Sequence, residues 1–210
     1  MIDRYIESPR NVGCMARWKL AREATTEYVM SLDDDICFNR HDALEDIIES
    51  LDKQDDPNRI IGIIGARFSA DPDYRTRREY ICRYLDVDRR PYAARTIEFT
   101  DEAGNPVVLD IRVVGADESV DIVKGRMMAF RRELLDRIEL PDEREDDIFL
   151  SAAFSSGARG FHRIPAALHD SCRELPEFDV ANWHQPGHMQ SRDRALKAHF
   201  PADLASVTHP

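Results

Sequence analysis

A short apolar strand that runs directly into three aspartates constrains this chain more than any other feature. Residues 27–32 are apolar enough to form a buried strand, and Asp33, Asp34 and Asp35 follow at once. Adjacent carboxylates repel one another and are costly to bury unless a cation lies among them. On an extended chain Asp33 and Asp35 point the same way, and carboxylate oxygens suit Mg²⁺ or Mn²⁺. The pattern predicts a metal site at the strand end, with a solvated turn as the alternative.

Helical and strand patterns alternate in the first half of the chain, and a hairpin pattern enters in the second. A polar turn over residues 101–106 separates two strand-like segments, which predicts the hairpin. We expect one domain over residues 1–210, an α/β fold with a mixed sheet flanked by helices. Asn39 is the expected N-cap of the second helix. The predicted helices are 13–26, 41–53, 75–85, 131–138, 141–156 and 186–200, and the predicted strands are 27–32, 60–66, 96–99, 107–114, 120–130 and 161–168.

The charge balance bears on the class of ligand. The chain has 29 Lys and Arg against 40 Asp and Glu, a formal net charge of −11. A nucleic-acid binder would normally show a basic face, so this class is disfavoured. An anionic small ligand stays possible because local fields matter more than net charge. Arginine outnumbers lysine heavily, which either reflects codon usage or supplies bidentate contacts to phosphate or carboxylate.

Cysteine usage and hydropathy indicate the compartment. The chain has four cysteines and no C-x-x-C pair, so a zinc knuckle or a dense disulfide scaffold is not expected. Cys14, Cys37 and Cys82 lie in apolar surroundings and are expected to be reduced, which fits the cytoplasm. Neither a secretory apolar region nor an apolar run of about 18 residues is present, so no transmembrane helix is expected.

Two further polar clusters carry candidate chemistry. Asp146 and Asp147 follow Glu145 near a predicted helix start, where the helix dipole tolerates acids. One of them is a candidate base or charge stabiliser. His188 and Arg192 are four residues apart and share one face of a helix. An imidazole and a guanidinium together suit an anionic group, and the histidine also suits a metal.

In order and spacing, these pieces resemble a known family over roughly residues 10–200. Residues 11–17 and 28–35 resemble the nucleotide-sugar region of GT-A glycosyltransferases. The resemblance implies a GT-A-like fold and a hexosyl- or N-acetylhexosaminyl-transferase, with a nucleotide-sugar donor and a carbohydrate or other hydroxyl acceptor. More specific similarity to the exostosin-type branch comes from residues 60–62, 125–130, 145–148 and 183–184 together with His188 and Arg192.

On the donor side, the resemblance implies that Asp33 and Asp35 hold Mn²⁺ or Mg²⁺ against the diphosphate of a UDP-sugar. Asp34 belongs to the same acidic element. Asn11 and Arg17 match positions that contact the nucleobase and ribose. A metal suits this role because the leaving nucleoside diphosphate develops negative charge.

On the acceptor side, the resemblance implies that Asp146 or Asp147 lies beside the anomeric carbon, without fixing which.

The resemblance also implies two more contacts to the donor. Arg192 matches a position that meets the diphosphate, and His188 lies in the same donor site. An arginine there would stabilise charge on the leaving group.

The sequence differs from the family at the start of the chain. The family has a strand, a helix and a second strand before the region that matches Asn11, and ten residues stand there in this sequence. The resemblance therefore implies an incomplete nucleotide-binding half, or one completed by a partner or a missing segment. Two other functions stay open: a non-catalytic nucleotide- or sugar-binding module, and a haloacid-dehalogenase-type phosphatase with Asp33 as nucleophile, Lys124 as its lysine and the 146–147 acid pair.

Overall fold

The computed structural model describes residues 6–9, 12–68, 77–91, 93–100, 104, 106–113, 115–142, 144–176 and 187–200. Its α-helices are α1 (Met15–Ala21), α2 (Ala43–Asp52), α3 (Asp146–Ser155) and α4 (His188–His199), and two 3₁₀ helices span Arg132–Arg137 and Ala166–Leu168. Its strands are β1 (Tyr28–Leu32), β2 (Ile36–Phe38), β3 (Ile61–Gly62), β4 (Ile64–Phe68), β5 (Arg77–Cys82), β6 (Arg95–Thr100), β7 (Pro106–Arg112), β8 (Glu118–Val120), β9 (Ile122–Val123), β10 (Met127–Arg131), β11 (His162–Ile164) and β12 (Cys172–Glu174).

In the described part of the chain, the strands form two five-stranded mixed sheets and one two-stranded ribbon. The first sheet has the order β1-β10-β3-β11-β8, in which the neighbours β3 and β11 pair parallel and the other neighbours pair antiparallel. The second has the order β6-β7-β5-β4-β9, in which the neighbours β5 and β7 pair parallel and the other neighbours pair antiparallel. The ribbon pairs β12 with β2. The predicted α/β class with a mixed sheet flanked by helices is confirmed.

Strand β10 is the centre of the first sheet's packing because both of its faces are buried. Met128 and Phe130 pack in the cluster that contains Trp18 of α1 and Phe154 of α3. The Phe130 ring lies 5.0 Å from the Trp18 ring and 5.1 Å from the Phe154 ring, measured between centroids. Met127 and Ala129, which point the other way, pack with side chains of α2. Alternate residues of one strand therefore hold helices on opposite faces of the sheet.

The chain passes from the first sheet to the second at two adjacent places, between β3 and β4 and between β8 and β9. Glycines make this crossing possible. A Cβ on Gly62 would lie 2.4 Å from Cγ1 of Val123, and a Cβ on Gly65 would lie 2.7 Å from Cγ1 of Val120. Such contacts are far too short for any side chain, so glycine allows β9 to lie against β3 and β8 to lie against β4. This approach fixes the segment between β9 and β10, which borders the acidic turn.

The structure corrects two local predictions and confirms a third. Residues 75–85 were expected to be helical, but the described part forms strand β5, paired with β4 and β7. Asn39 does not cap α2, because Asp42 holds the N-cap position and the Asn39 side chain donates to the carbonyl of Asp170 at 3.2 Å. The predicted hairpin is present, because β6 and β7 pair antiparallel.

Helix α4 packs against α3 through an apolar cluster that includes Ile148, Ala152, Leu196 and Phe200. This packing brings the N-terminal halves of the two helices together, where the charged residues of both helices meet. In the parts of the chain that the structure describes, none of the helices has the length and apolar character needed to cross a membrane.

Candidate active site

The three aspartates form a tight turn at the end of β1. The amide of Ile36 donates to the carbonyl of Asp33 at 3.1 Å, which closes the turn. The amide of Asp33 donates to the carbonyl of Arg126 at 3.0 Å, and the amide of Leu175 donates to the carbonyl of Asp35 at 2.6 Å. Asp34 is exposed at the tip, and its role as a donor contact stays a prediction. The turn is therefore held by its backbone between the start of β10 and the end of β12.

Each outer aspartate of the turn lies against an arginine. Nη1 of Arg17 is 2.9 Å from Oδ1 of Asp33, and Nη1 of Arg126 is 3.2 Å from Oδ2 of Asp35. Burial raises the pKa of Asp33 above its ordinary value, although the hydrogen bond from Arg17 acts in the opposite direction. The repulsion expected among the three carboxylates is thus offset by two guanidinium groups from other elements.

The acidic turn offers two carboxylates to a divalent cation, so phosphate and water would have to supply the other ligands. No cluster of three or more histidine, cysteine, aspartate or glutamate side chains suited to hold a metal occurs among the described residues. Mg²⁺ is often bound by one or two carboxylates together with substrate phosphates and water. Asp33 and Asp35 can supply those carboxylates, so the turn suits a cation that arrives with a phosphate ligand.

Asp146, the first residue of α3, faces the acidic turn through Arg17. Its Oδ2 accepts a hydrogen bond from Nε1 of Trp18 at 2.6 Å and lies 3.2 Å from Nε of Arg17. Arg17 therefore bridges Asp33 and Asp146. Burial raises the pKa of Asp146, although Arg17 lowers it in part. A carboxyl group with a raised pKa is a stronger base than an exposed aspartate.

Asp147 faces the opposite way and is enclosed by cations. Its two oxygens lie 3.0 and 2.8 Å from Nη1 and Nη2 of Arg192, and its Oδ2 lies 3.0 Å from Nζ of Lys124. Burial alone would raise the pKa of Asp147, but Arg192 and Lys124 outweigh burial and hold it well below the ordinary value. Nη1 of Arg192 also lies 2.9 Å from Oε2 of Glu145. Asp147 is therefore an ionised structural anion and a weak base.

His188, the first residue of α4, lies beside the same cations. Burial and the charges of Arg192, Lys124 and Arg144 lower the pKa of His188 to about 4. Its ring is therefore neutral at neutral pH. Nδ1 is buried and has no hydrogen-bond partner within the described ranges.

The structure brings the predicted residues together in two adjoining groups. Arg17, Asp33 and Asp146 form one group, and Asp147, His188 and Arg192 form the other. Asp35 joins the first group through the turn. The predicted site residue Asn11, and Trp183 and His184 of the resemblance, lie outside the described residues, so contact of Asn11 with a nucleoside stays a prediction.

Three partners of these acids were not predicted from the sequence as site residues of a glycosyltransferase: Trp18, Lys124 and Arg126. The indole of Trp18 and the two cations reach the acids from α1 and from the β9–β10 connection. One sequence signal was present, because Lys124 and Arg126 flank Gly125 immediately before a buried apolar strand. Cations beside a glycine at a strand edge are candidate anion contacts.

The first two thirds of the chain match a known protein family. The family model of glycosyl transferase family 2 matches residues 4–139, more than half of the 210 residues. The match includes the acidic turn and its two arginines, and it ends before α3. No curated protein gives a significant match to the chain.

The matched family has the GT-A type of fold, so the GT-A part of the resemblance is supported, and the exostosin-type branch stays a prediction. The match also favours transfer of a sugar from a nucleotide sugar over the phosphatase that the sequence left open. The chain belongs to glycosyl transferase family 2.

Proposed function

We propose that this protein transfers a hexose or N-acetylhexosamine from a UDP-sugar to an acceptor hydroxyl, with a divalent cation at the acidic turn. One observation carries the proposal. The guanidinium of Arg17 lies 2.9 Å from Asp33 and 3.2 Å from Asp146. The candidate metal ligands and the candidate base therefore belong to one site, as sugar transfer from a nucleotide requires.

On the donor side, Asp33 and Asp35 would hold Mn²⁺ or Mg²⁺ together with the diphosphate. When bound, the cation stabilises the negative charge that develops on the leaving nucleoside diphosphate. The neutral ring of His188, with its buried Nδ1, suits a hydrogen bond to the donor. The nucleoside would lie towards Asn11 and Arg17, as the resemblance implies.

On the acceptor side, we assign the base to Asp146. The acceptor hydroxyl oxygen bonds to the anomeric carbon while the bond from that carbon to the phosphate oxygen breaks, and the electron pair leaves with UDP. Asp146 takes the hydroxyl proton. Its contacts with Trp18 and Arg17 both fall on Oδ2, so Oδ1 is the oxygen that we assign to the acceptor.

Asp147 is not suited to the same task. Both of its oxygens are held by Arg192, and Lys124 adds a third contact. Its lowered pKa leaves little tendency to take a proton. We assign Arg192 the role of holding Asp147 and Glu145, which fixes the start of α3 and so the orientation of Asp146. Only 6% of the Arg192 side chain is exposed, so we do not assign it a direct contact with the diphosphate.

Isothermal titration calorimetry with UDP and with GDP tests the donor side. In Mn²⁺ we expect the wild type to bind UDP, with affinity reduced about ten-fold or more by EDTA and by Asp35→Asn, because the cation links Asp35 to the diphosphate. Asp136→Asn removes a carboxylate from an exposed ion pair with Arg132 and is the matched control. UDP binding that neither EDTA nor Asp35→Asn changes would refute the role of the cation. Failure to bind either nucleotide would refute a nucleotide-sugar donor.

A further inference from the structure

The indole of Trp18 connects the assigned base with the apolar core. Trp18 lies on α1, and its Nε1 donates to Oδ2 of Asp146 at 2.6 Å, although 128 residues separate the two in the chain. Both residues are buried, with 1% of Trp18 and 4% of Asp146 exposed. A hydrogen bond to a charged group is stronger than one between neutral groups, and the more so away from water. The core therefore holds one oxygen of the base directly.

The ring that carries this donor has little freedom to move. Its centroid lies 5.0 Å from that of the Phe130 ring on β10, which in turn lies 5.1 Å from the Phe154 ring on α3. All three rings belong to one buried cluster, together with Met15 of α1 and Val29 of β1. Side chains in a close-packed core cannot turn without displacing their neighbours. The direction of the indole N–H is consequently fixed by packing.

Arg17, the neighbour of Trp18 on α1, holds the same oxygen in a different way. Its Nε lies 3.2 Å from Oδ2 of Asp146, but its side chain is 31% exposed and also pairs with Asp33. The position of this guanidinium therefore depends on what occupies the acidic turn. The position of the indole depends on the core alone, so Trp18 can hold Asp146 whether or not the turn carries a ligand.

Fixing one oxygen of a carboxylate determines where the other one points. The terminal torsion of an aspartate is broad, so an unanchored carboxylate samples many orientations. A general base must place its oxygen about 2.6–3.2 Å from the group whose proton it takes. A misplacement of about 1 Å can cost roughly 10²-fold in rate. An anchor on Oδ2 of Asp146 is thus a means of keeping Oδ1 in a productive position.

We propose that Trp18 is a positioning residue for the base: its indole N–H anchors Oδ2 of Asp146 and so directs Oδ1 at the acceptor hydroxyl. This inference rests on the proposed function, because it takes Asp146 to be the base. Trp18 acts through Asp146 and needs no contact with donor or acceptor.

Kinetics of Trp18→Phe test the proposal, because this variant keeps an aromatic ring and removes the N–H. Burial raises the pKa of Asp146, and the hydrogen bond from Trp18 acts against burial, so its loss makes Asp146 a stronger base. A fall in kcat would therefore report lost orientation. We expect kcat for UDP release to fall about ten-fold or more, measured at about pH 9 where the carboxylate is ionised in both proteins. Affinity for UDP should stay within about three-fold, because the donor side is untouched.

Phe154→Leu is the matched control for loss of packing. Phe154 belongs to the same buried cluster and does not contact the acid through a polar group. We expect Phe154→Leu to lower the Tm at least as much as Trp18→Phe does, because both variants remove ring atoms from one core. Its kcat should stay within about two-fold of the wild type, since the indole N–H is still present.

Proton–nitrogen NMR spectra test the contact itself, without turnover. The indole signal of Trp18 is identified by its absence in Trp18→Phe, and we expect it downfield of a free indole because the proton is bound by a carboxylate. Asp146→Ala should move this signal towards the free position. Asp136→Ala, which removes an exposed carboxylate paired with Arg132, should leave it unchanged.

Two results would overturn the inference while the proposed function stands. One is a kcat of Trp18→Phe that equals that of the wild type or falls no further than that of Phe154→Leu, and the other is an indole signal that Asp146→Ala does not move. A wild type that releases no UDP from any donor refutes the proposed function, and the inference with it. If Trp18→Phe does not fold, β-(3-benzothienyl)alanine in place of Trp18 decides by the same kcat comparison, because it keeps the ring shape and carries sulfur instead of the N–H.

Discussion

The two adjacent aspartates at the start of α3 should respond in opposite ways to the same substitution. Asp147 lies between Arg192 and Lys124 in a buried site. Asp147→Asn keeps the shape and removes the charge, which leaves those two cations with less compensation. Removing one partner of a buried ion pair costs about 3–5 kcal/mol. Because Glu145 still contacts Arg192, we expect the lower end of this range, about 3 kcal/mol.

Asp146→Asn should cost much less stability. Burial raises the pKa of Asp146, so its ionised form is poorly solvated in the folded protein and a neutral amide relieves that penalty. The variant loses the contact with Arg17, whose side chain is 31% exposed and which still pairs with Asp33. Solvent screens a partly exposed pair, so we expect a change within about 1 kcal/mol. The two variants should thus differ by about 2 kcal/mol or more in free energy of unfolding.

Thermal unfolding followed by circular dichroism measures this difference. A chain of this size changes its Tm by about 2–4 °C per kcal/mol, so Asp147→Asn should melt about 4–8 °C or more below Asp146→Asn. Turnover of a donor should show the reverse order, with a loss of about 10²-fold in Asp146→Asn. Equal Tm values for the two variants, or a lower Tm for Asp146→Asn, would refute the division into a base and a structural anion.

Two further predictions concern stability. The pKa of Asp147 is lowered in the folded protein from the ordinary value of 3.8, so the stability that this carboxylate contributes is complete above that value and is lost as pH falls through the folded pKa. Calorimetry should therefore show a constant Tm difference between wild type and Asp147→Asn from about pH 7 to 5, and this difference should narrow below about pH 4. A Tm difference that instead widens in acid would contradict the assignment. Gly65→Ala should lower the free energy of unfolding by about 1–3 kcal/mol, because its Cβ would lie 2.7 Å from Val120. Denaturant unfolding should show that adding Val120→Ala recovers part of this lost stability. An unchanged midpoint in the single variant would contradict the close approach of β4 and β8.

The elements that were predicted correctly are those with a local sequence pattern. The apolar run before the acidic turn and the hairpin pattern of β6 and β7 needed no knowledge of distant residues, and the structure has strand β1 and the antiparallel pairing of β6 with β7. Strand β5 was predicted as a helix because Tyr80, Ile81 and Tyr84 also fit helical spacing. A short apolar segment has an ambiguous period, and pairing with β4 and β7 decides its conformation. Strand β12 lies between the predicted strand over residues 161–168 and the predicted helix over 186–200, where no element was predicted, since three residues form a strand only through pairing with β2.

In the candidate site too, local sequence patterns predicted single residues but not their distant partners. Carboxylates at a strand end or at a helix start are visible in the sequence, so Asp33, Asp35 and the 146–147 pair were predicted. Their partners come from distant elements: Trp18 and Asp146 are 128 residues apart. No local pattern indicates which of two adjacent acids meets which cation. That choice depends on how α3 packs between α1 and α4, which decides between a base and a structural anion.

Donor turnover tests the central claim most directly. Wild type and Asp146→Asn are incubated with UDP-glucose, UDP-galactose or UDP-N-acetylglucosamine in Mn²⁺, with simple sugars or water as acceptor, and released UDP is measured by chromatography. We expect the wild type to release UDP from at least one donor, and Asp146→Asn to release it about 10²-fold more slowly while its affinity for UDP stays within about three-fold. A wild type that binds UDP and releases none from any donor would contradict the transferase and favour a nucleotide-binding module. Equal rates in the two proteins would contradict the assignment of the base.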